Sequence, residues 1–483
     1  MTRMHSSPAP IGDLRSPAAL IADRELGSDT TIPVWNPYAD TVIGTTDEAT
    51  PAIVDEAVAT AVDASRRWAV TEVADRVAVL RRTAELIEER GQQIADTVTA
   101  EMGMPTTLAI ATQQVMPAAV LRSMADAAER FPWTEESDGA LVHRVPAGVI
   151  AAITPWNMPV HQIVAKLAAA FAAGCSVVLK PSEATPFDAA AVRGCFLDAG
   201  LPAGALSIVN GTGPVTGTAL AGHRDIAHVS FTGSVAGGKA VATAAAGALS
   251  RTTLELGGKS PAVILPDADV AALLPRVLAS GLVNSGQACN ATTRIVAPRA
   301  ATSIVESILS QALSQIRLGD PASSTTTHGP LASRRQTERV LEHAAHARQT
   351  GRVIAGTGEN IRIGPSACFV DPLIVTDLAP DARTVREEIF GPVLAVQYYD
   401  SEAEAIEVAN DSDYGLSAEV WSGDPKHAAD VARHLHVGQV KVNGVRTRER
   451  PAVPFGGIKN SGYGRELGGA GLAEFTEIQA VML

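Results

Sequence analysis

Cysteine is scarce: four among 483 residues. So few thiols in so long a chain do not make a disulfide scaffold, and they suit a reducing compartment. Basic residues are outnumbered, giving a net charge of -13 and a pI near 5.4. That balance argues against nucleic acid or an anionic membrane as the main partner. Long apolar runs are missing too. Met1 to Pro17 is polar and proline-bearing, with no stretch of signal-peptide length. Ile163 to Leu179 is apolar, but Lys166 and Gly174 interrupt it, so it reads as helix, turn and strand. A cytoplasmic protein without a membrane anchor is expected. Eleven histidines are scattered without ligand spacing; the close pair His434 and His436 sits on a helix-to-strand edge, and no metal is assigned. No internal repeat is evident, and no Gly-x-Gly-x-x-Gly run occurs between a strand and a helix.

What is present describes a globular chain, with 46% hydrophobic and 19% charged residues. Its length calls for two or three domains. Residues 1–30 read as a loose arm. Thr31 to Pro37 reads as a short strand closing on a turn. Pro51 to Trp68 and Arg76 to Met102 carry helical spacing with one charged face. From residue 147 strand-like and helical stretches alternate. The strands are Gly148–Ile153, Ser176–Leu179, Leu206–Val209, Ala227–Phe231 and Thr252–Leu256. The helices are Val160–Ala172, Phe187–Ala199, Val215–Ala221 and Val235–Ala246. This alternation predicts a parallel sheet covered on both faces, with ligands beyond the carboxyl ends of its strands. A second α/β region from about Gly258 holds a helix Ala301–Ile316 and strands near Phe369–Val375 and Leu394–Tyr399. The chain ends in a strand-like Ile478–Leu483, of the kind that pairs with another element or subunit.

Chemistry is suggested first by Asn284-Ser285-Gly286-Gln287-Ala288-Cys289-Asn290, a thiol between a helix-like Val270–Val283 and a strand-like Arg294–Val296. A thiol at such a junction can face a cleft, and its thiolate is a nucleophile. Cys175, Cys195 and Cys368 lie in strand or helix patterns and read as core residues. Lys180-Pro181-Ser182-Glu183 follows a strand, where a lysine and a carboxylate can hold ribose hydroxyls; by itself it reads more readily as a solvated loop. Phe231-Thr232-Gly233-Ser234 opens a helix and can receive a pyrophosphate, or simply cap that helix. Glu255-Leu256-Gly257-Gly258-Lys259 offers a general base beside glycines, or a surface carboxylate beside a turn. Asn157, in Pro155-Trp156-Asn157, is a neutral donor suited to an oxyanion, or an ordinary turn residue.

Taken in order, these runs resemble the aldehyde dehydrogenase superfamily, NAD(P)-dependent and non-phosphorylating. They are joined by Glu387-Glu388-Ile389-Phe390-Gly391-Pro392 and by Pro454-Phe455-Gly456-Gly457-Ile458-Lys459-Asn460-Ser461-Gly462, and the likeness runs from Asn36-Pro37 to the C-terminus. The resemblance implies an α/β fold with a parallel-sheet, Rossmann-like cofactor domain (1–124 and 146–257). A second α/β catalytic domain (258–469) and a small β oligomerisation arm (125–145 and 470–483) complete it, assembled as a homodimer or homotetramer. It implies an aldehyde substrate, oxidised to a carboxylic acid. Cys289 would attack the carbonyl carbon, with Asn157 and the Cys289 N–H on the oxyanion, and Glu255 would activate water. Lys180 and Glu183 would bind the adenosine ribose, Ser234 the pyrophosphate and Glu388 the nicotinamide ribose, with Phe390 against it. Pro155, Trp156, Ser182, Gly213, Phe231, Thr232, Gly233, Gly238 and Leu256 complete the implied cofactor contacts, and Met158, His161 and Phe455 the substrate contacts. Glu183 favours NAD over NADP, because a carboxylate repels a 2′-phosphate.

Two departures bear on substrate. Val445-Arg446-Thr447-Arg448-Glu449-Arg450 is highly charged where relatives often carry apolar groups. Met158 and His161 replace bulky apolar residues of many relatives. Both point weakly to a polar or anionic aldehyde. Acyl transfer to coenzyme A is the nearest alternative reaction, disfavoured by Glu255. A non-catalytic binding protein on the same fold is the alternative from another class.

Overall fold

The computed structural model describes residues 14–445 and 450–483. Its first sheet has eight strands. Five are parallel, in spatial order Arg251–Glu255, His228–Thr232, Val149–Ile153, Ser176–Lys180 and Leu206–Val209. The chain starts at the middle strand, winds outward through two helical crossovers, then returns to fill the other side. The order therefore reverses between Val149–Ile153 and His228–Thr232, and the connections diverge there to leave a crevice. All five residues of Val149–Ile153, Ser176–Lys180 and His228–Thr232 are buried, as a sheet covered on both faces requires.

The outer strands correct the expected loose arm. Ala19–Ile21 and Arg24–Leu26 extend the sheet in antiparallel fashion beyond Leu206–Val209, and Leu14–Ser16 pairs with Thr41–Asp47. Ala18, Ala19 and Ile21 are fully buried. The short run of small and apolar residues is too brief to signal a strand; the open sheet edge beside it decides. Residues 1–13 lie outside the described residues. The expected Arg76–Met102 helix is two helices, Val73–Glu89 and Gly91–Met102, broken where Gly91 lies against the Gln114 side chain. Likewise Phe369–Val375 is two strands, Ser366–Val370 and Leu373–Thr376, which join different sheets on either side of Asp371-Pro372. The stretch read as a helix over Val215–Ala221 begins as a wide turn, Gly213–Gly217, before Thr218–Ala221.

A second sheet has seven strands in the order Arg352–Gly356, Leu373–Thr376, Val393–Tyr399, Thr292–Pro298, Ser260–Ile264, Ser417–Trp421 and Gln439–Val442, all parallel except the first. The third, outlying sheet joins Thr476–Met482 to Ala140–Pro146 and Thr134–Ser137. Between the first sheet and helix Met116–Arg130 runs helix Pro159–Ala173, in which every residue but His161 is buried. A helix this apolar on all sides belongs to a core. Its one charge, Lys166, is fully buried and has to be partnered from elsewhere in the chain.

Candidate active site

The cysteine loop is built by an abrupt reversal. Helix Val270–Gly281 ends, and Asn284, Ser285 and Gly286 take left-handed backbone angles (φ of 52°, 57° and 78°). A β carbon on Gly286 would lie 2.3 Å from the Gly391 carbonyl oxygen, so only glycine fits that turn. Side chains hold the unfavourable asparagine and serine conformations in place. Ser285 Oγ donates to the Gly329 carbonyl at 2.8 Å, and Asn284 Nδ2 to the Asn157 carbonyl at 3.1 Å. Gln287 Nε2 donates to the Asn284 carbonyl at 3.0 Å, while its Oε1 accepts from Ala332 N–H at 2.9 Å. Asn284 and Gln287 thus belong to the site's frame, a role their positions in a polar run did not reveal.

Asn157 follows strand Val149–Ile153 and donates one amide hydrogen to the Gln287 carbonyl at 2.9 Å. The bond fixes the amide beside the thiol; the second amide hydrogen is left for another acceptor. Cys289 is partly exposed, whereas Cys175, Cys195 and Cys368 are buried. It lines two spaces at once. One is a cavity of about 140 Å³, bounded also by Asn157, Met158, His161, Ala288 and Phe455. The other is a crevice of about 160 Å³, bounded by Pro155, Trp156, Thr232, Gly233, Ser234, Leu256, Glu388 and Phe390. The crevice lies at the strand-order reversal of the first sheet.

Several groups suit a dinucleotide in that crevice. Ser234 caps helix Val235–Ala246, its Oγ accepting from Gly237 N–H at 3.1 Å. Its hydroxyl proton and the unbonded N–H groups of the first turn remain for an anion. Glu388 is half-buried, and its Oε1 accepts from Gly258 N–H at 3.0 Å. Burial raises its carboxyl above the usual range. Gly257 permits this approach: a β carbon there would lie 2.2 Å from Glu388 Oε2. Phe390, at φ 61°, meets Trp156 edge-on with centroids 5.5 Å apart. Lys180, Ser182, Glu183 and Gly213 do not line this crevice. They stand at the ends of the neighbouring strands, with Lys180 buried, 3.8 Å from Glu183 and 3.5 Å from where a Gly217 β carbon would be. Ser182 Oγ accepts from Ala184 N–H at 3.2 Å, and Gly213 has open space around it. Phe231 packs under Gly233 and Gly237, and Gly238 lies against Leu256.

Glu255 ends strand Arg251–Glu255, is 3% exposed, and neither carboxylate oxygen has a hydrogen-bond partner among the described residues. Burial pushes its carboxyl well above the usual range; nearby Glu466 adds to this, while Lys166 and Arg465 oppose it. Burial also pushes the Cys289 thiol up to about 12, with help from Glu388, Glu255 and Glu466. Lys166 pairs with Glu466 and donates to Thr232 Oγ1 at 2.7 Å. Glu466 also lines the cavity. This ion pair was missed as part of the site, although a lone lysine in an otherwise apolar helix is a signal that a buried charge needs a partner. His161 is held down to about 4 by burial and by Lys166, so it is neutral. Its backbone N–H donates to Gln113 Oε1 at 3.2 Å, and Gln113 Nε2 lies 3.3 Å from Met158 Sδ.

A partly exposed thiol between a cavity and a crevice at the strand-order reversal is the decisive arrangement. The aldehyde dehydrogenase family model matches residues 25–481. The chain belongs to the aldehyde dehydrogenase family. It is 40% identical over 452 residues to a 3-succinoylsemialdehyde-pyridine dehydrogenase from a Pseudomonas species, covering 93% of this chain and 94% of that one. It is 38% identical over 457 residues to a geranial dehydrogenase from Castellaniella defragrans, covering 93% and 95%. Among solved structures, aldehyde dehydrogenase C from Pseudomonas syringae, a mutant holding NAD+ and octanal, superposes with a TM-score of 0.94 at 38% identity, covering 96% of each chain. A Mycobacterium tuberculosis aldehyde dehydrogenase complexed with NAD+ gives 0.94 at 36% identity, covering 98% of this chain and 99% of that one. The α/β fold and the aldehyde dehydrogenase activity expected from the motifs are therefore both met. The chain oxidises an aldehyde to an acid with NAD.

Proposed function

We propose that Cys289 is the nucleophile of this oxidation, and the observation that carries the reading is that this residue lines both the cavity and the crevice. The thiolate adds to the aldehyde carbon, and the carbonyl oxygen becomes an alkoxide. The second amide hydrogen of Asn157 and the N–H of Cys289 hold that alkoxide. Such fixed donors are worth about 3–4 kcal/mol each by analogy with hydrolase oxyanion holes. NAD, when bound, supplies the acceptor for the hydride that the collapsing adduct expels. Glu255, whose carboxylate has no hydrogen-bond partner among the described residues, takes a proton from water, and that water releases the acid from the sulfur. Supporting the cofactor positions are Ser234 at a helix N-terminus for the pyrophosphate and Glu388 in the crevice for the nicotinamide ribose, with Phe390 beside it. Lys180 and Glu183 serve the adenosine ribose, and Glu183 disfavours a 2′-phosphate. Pro155, Trp156, Thr232, Gly233 and Leu256 form the crevice walls; Met158, His161 and Phe455 form the substrate walls.

The same reading divides the chain into a cofactor domain (1–124 and 146–257), a catalytic domain (258–469) and an oligomerisation arm (125–145 and 470–483). Support for the arm comes from strand Thr476–Met482, whose outer side chains Ile478 and Met482 are 62% and 79% exposed, a surface suited to a second copy in a homodimer or homotetramer. Four free cysteines suit a cytoplasmic home.

The test is NADH absorbance on mixing protein, NAD and a panel of aldehydes. Turnover is expected from the native chain and none from Cys289→Ala; turnover by the alanine variant ends the reading. Release of free acid without coenzyme A separates hydrolysis from acyl transfer.

A further inference from the structure

The cavity beside Cys289 has a neutral polar face that the oxidation does not use. Met158, His161, Gln162 and Ala165 all line it. They stand at i, i+3, i+4 and i+7 along helix Pro159–Ala173 and its N-cap, so one stripe of that helix is turned to the cavity. Apart from Lys166 the rest of the helix is apolar, and the two neutral polar side chains fall together on this stripe. Gln162 is 7% exposed. His161 Nδ1 and Gln162 Oε1 are enclosed and have no hydrogen-bond partner among the described residues. The other polar atom of each, His161 Nε2 and Gln162 Nε2, is likewise unpartnered among the described residues and is open to the cavity that both residues line.

Other polar groups of the wall are engaged within the protein. Thr112 Oγ1 donates to the Leu108 carbonyl at 2.8 Å, and Ser280 Oγ to Glu419 Oε1 at 2.7 Å. Glu466 is paired with Lys166, and Lys441 stands beside Glu419. Buried polar atoms left unpaired are unfavourable, and apolar side chains of similar volume would avoid the cost. Two such residues side by side on a cavity wall therefore point to a group that arrives with the substrate. The Gln162 amide is a donor. Burial and Lys166 keep His161 neutral, so its ring offers one N–H and one lone pair. A hydroxyl suits both, accepting from Gln162 Nε2 and donating to His161 Nε2 while the imidazole proton sits on Nδ1. A methyl group in the same place would leave both unpaired. A site that bonds a hydroxyl rejects the analogue lacking it far more strongly than an apolar pocket rejects one methylene.

We propose that His161 and Gln162 are specificity-determining residues that together bond a hydroxyl on the substrate, so that the preferred substrates are hydroxyaldehydes. This rests on the aldehyde-oxidising reading of Cys289 and deepens it. The hydroxyl would sit against the helix stripe while the aldehyde carbon meets the sulfur.

The experiment measures kcat/KM for two aldehyde pairs that exchange a hydroxyl for a methyl group: 3-hydroxybutanal with 3-methylbutanal, and 3-hydroxybenzaldehyde with 3-methylbenzaldehyde. The proteins are the native chain, His161→Leu, Gln162→Met, His161→Gln and the double variant His161→Leu/Gln162→Met. The native ratio is expected to favour the hydroxyl member in at least one pair. In that pair His161→Leu and Gln162→Met should each lower the ratio by about tenfold or more, through KM, as loss of a buried hydrogen bond implies. His161→Gln, which keeps a polar atom near the place of Nε2, should keep most of it. The apolar variants should unfold at no lower urea concentration than the native protein, because each removes unpartnered polar atoms; if one single variant does not fold, the other decides. A native preference for the methyl member in both pairs, no native turnover of any of the four, or a ratio unmoved in the apolar variants overturns the proposal. NADH formation that survives in Cys289→Ala would instead overturn the reading of Cys289, together with what rests on it.

Discussion

Replacing Lys166 with methionine tests how the site manages its buried charge. Lys166 is 0% exposed along its side chain and Glu466 4%, so the Glu466 carboxylate left behind would be buried without its paired cation. Breaking a buried pair from one side costs about 3–5 kcal/mol. Loss of the bond to Thr232 Oγ1 falls within that range. The variant should therefore unfold at distinctly lower urea concentration than the native protein. Lys166→Met/Glu466→Met, which removes both charges and fills the space with apolar atoms, should recover most of the loss, because a buried pair and an apolar replacement are often of similar stability. The catalytic consequence has a definite sign. Lys166 opposes the elevation of Glu255, and Glu466 adds to it. Removing the lysine moves the alkaline rise of the steady-state rate to higher pH; Glu466→Gln moves it to lower pH. A cost below about 1 kcal/mol in Lys166→Met, or pH profiles that coincide, would refute this account of the charges.

Three other outcomes are expected. Glu255→Gln should still give a rapid burst of about one NADH per active site, followed by a steady rate lowered at least a hundredfold, the size of a lost general base; an unchanged steady rate in stopped-flow traces would show that water is activated elsewhere. In Gly257→Ala the new β carbon falls 2.2 Å from Glu388 Oε2, so NAD titrations should show binding weakened by about tenfold or more, with the fold intact by circular dichroism; equal NAD affinity would detach Glu388 from the cofactor. Asp188 and Glu101 are fully buried together, and Phe187 N–H reaches only Glu101 Oε1, at 2.7 Å. Burial raises both carboxyls well above their usual range. With folded values above unfolded ones, their contribution is present at acid pH and lost as pH rises through the folded values. Asp188→Asn should therefore raise the melting temperature at pH 8 and have less effect near pH 4; a uniform loss at both would contradict it.

Much of the first sheet was legible because its strands are short apolar runs between helices. The parallel strands begin and end within a residue or two of their expected bounds. Val149–Ile153 matches Gly148–Ile153, and Leu206–Val209 coincides in full. The N-terminal strands were not legible. Ala19–Ile21 is strand only because the edge of Leu206–Val209 offers it unpaired backbone groups far later in the chain, Ile208 opposite Leu20 and Val209 opposite Ala19. The Arg446 to Glu449 part of the charged run lies outside the described residues.

The chain order of its motifs determined the family and singled out Cys289 as the candidate nucleophile, since seven short runs in one sequence order leave little room for chance. Tertiary structure alone decided what surrounds that sulfur. Lys166 meets Glu466 across 300 residues, and Glu419 meets Lys441 through strand register. Pairings of that kind follow from how elements pack and not from local pattern, because a buried charge selects its partner by proximity in the folded state. The motifs are thus written along the sequence, and the surroundings of the thiol are set where distant strands and helices meet.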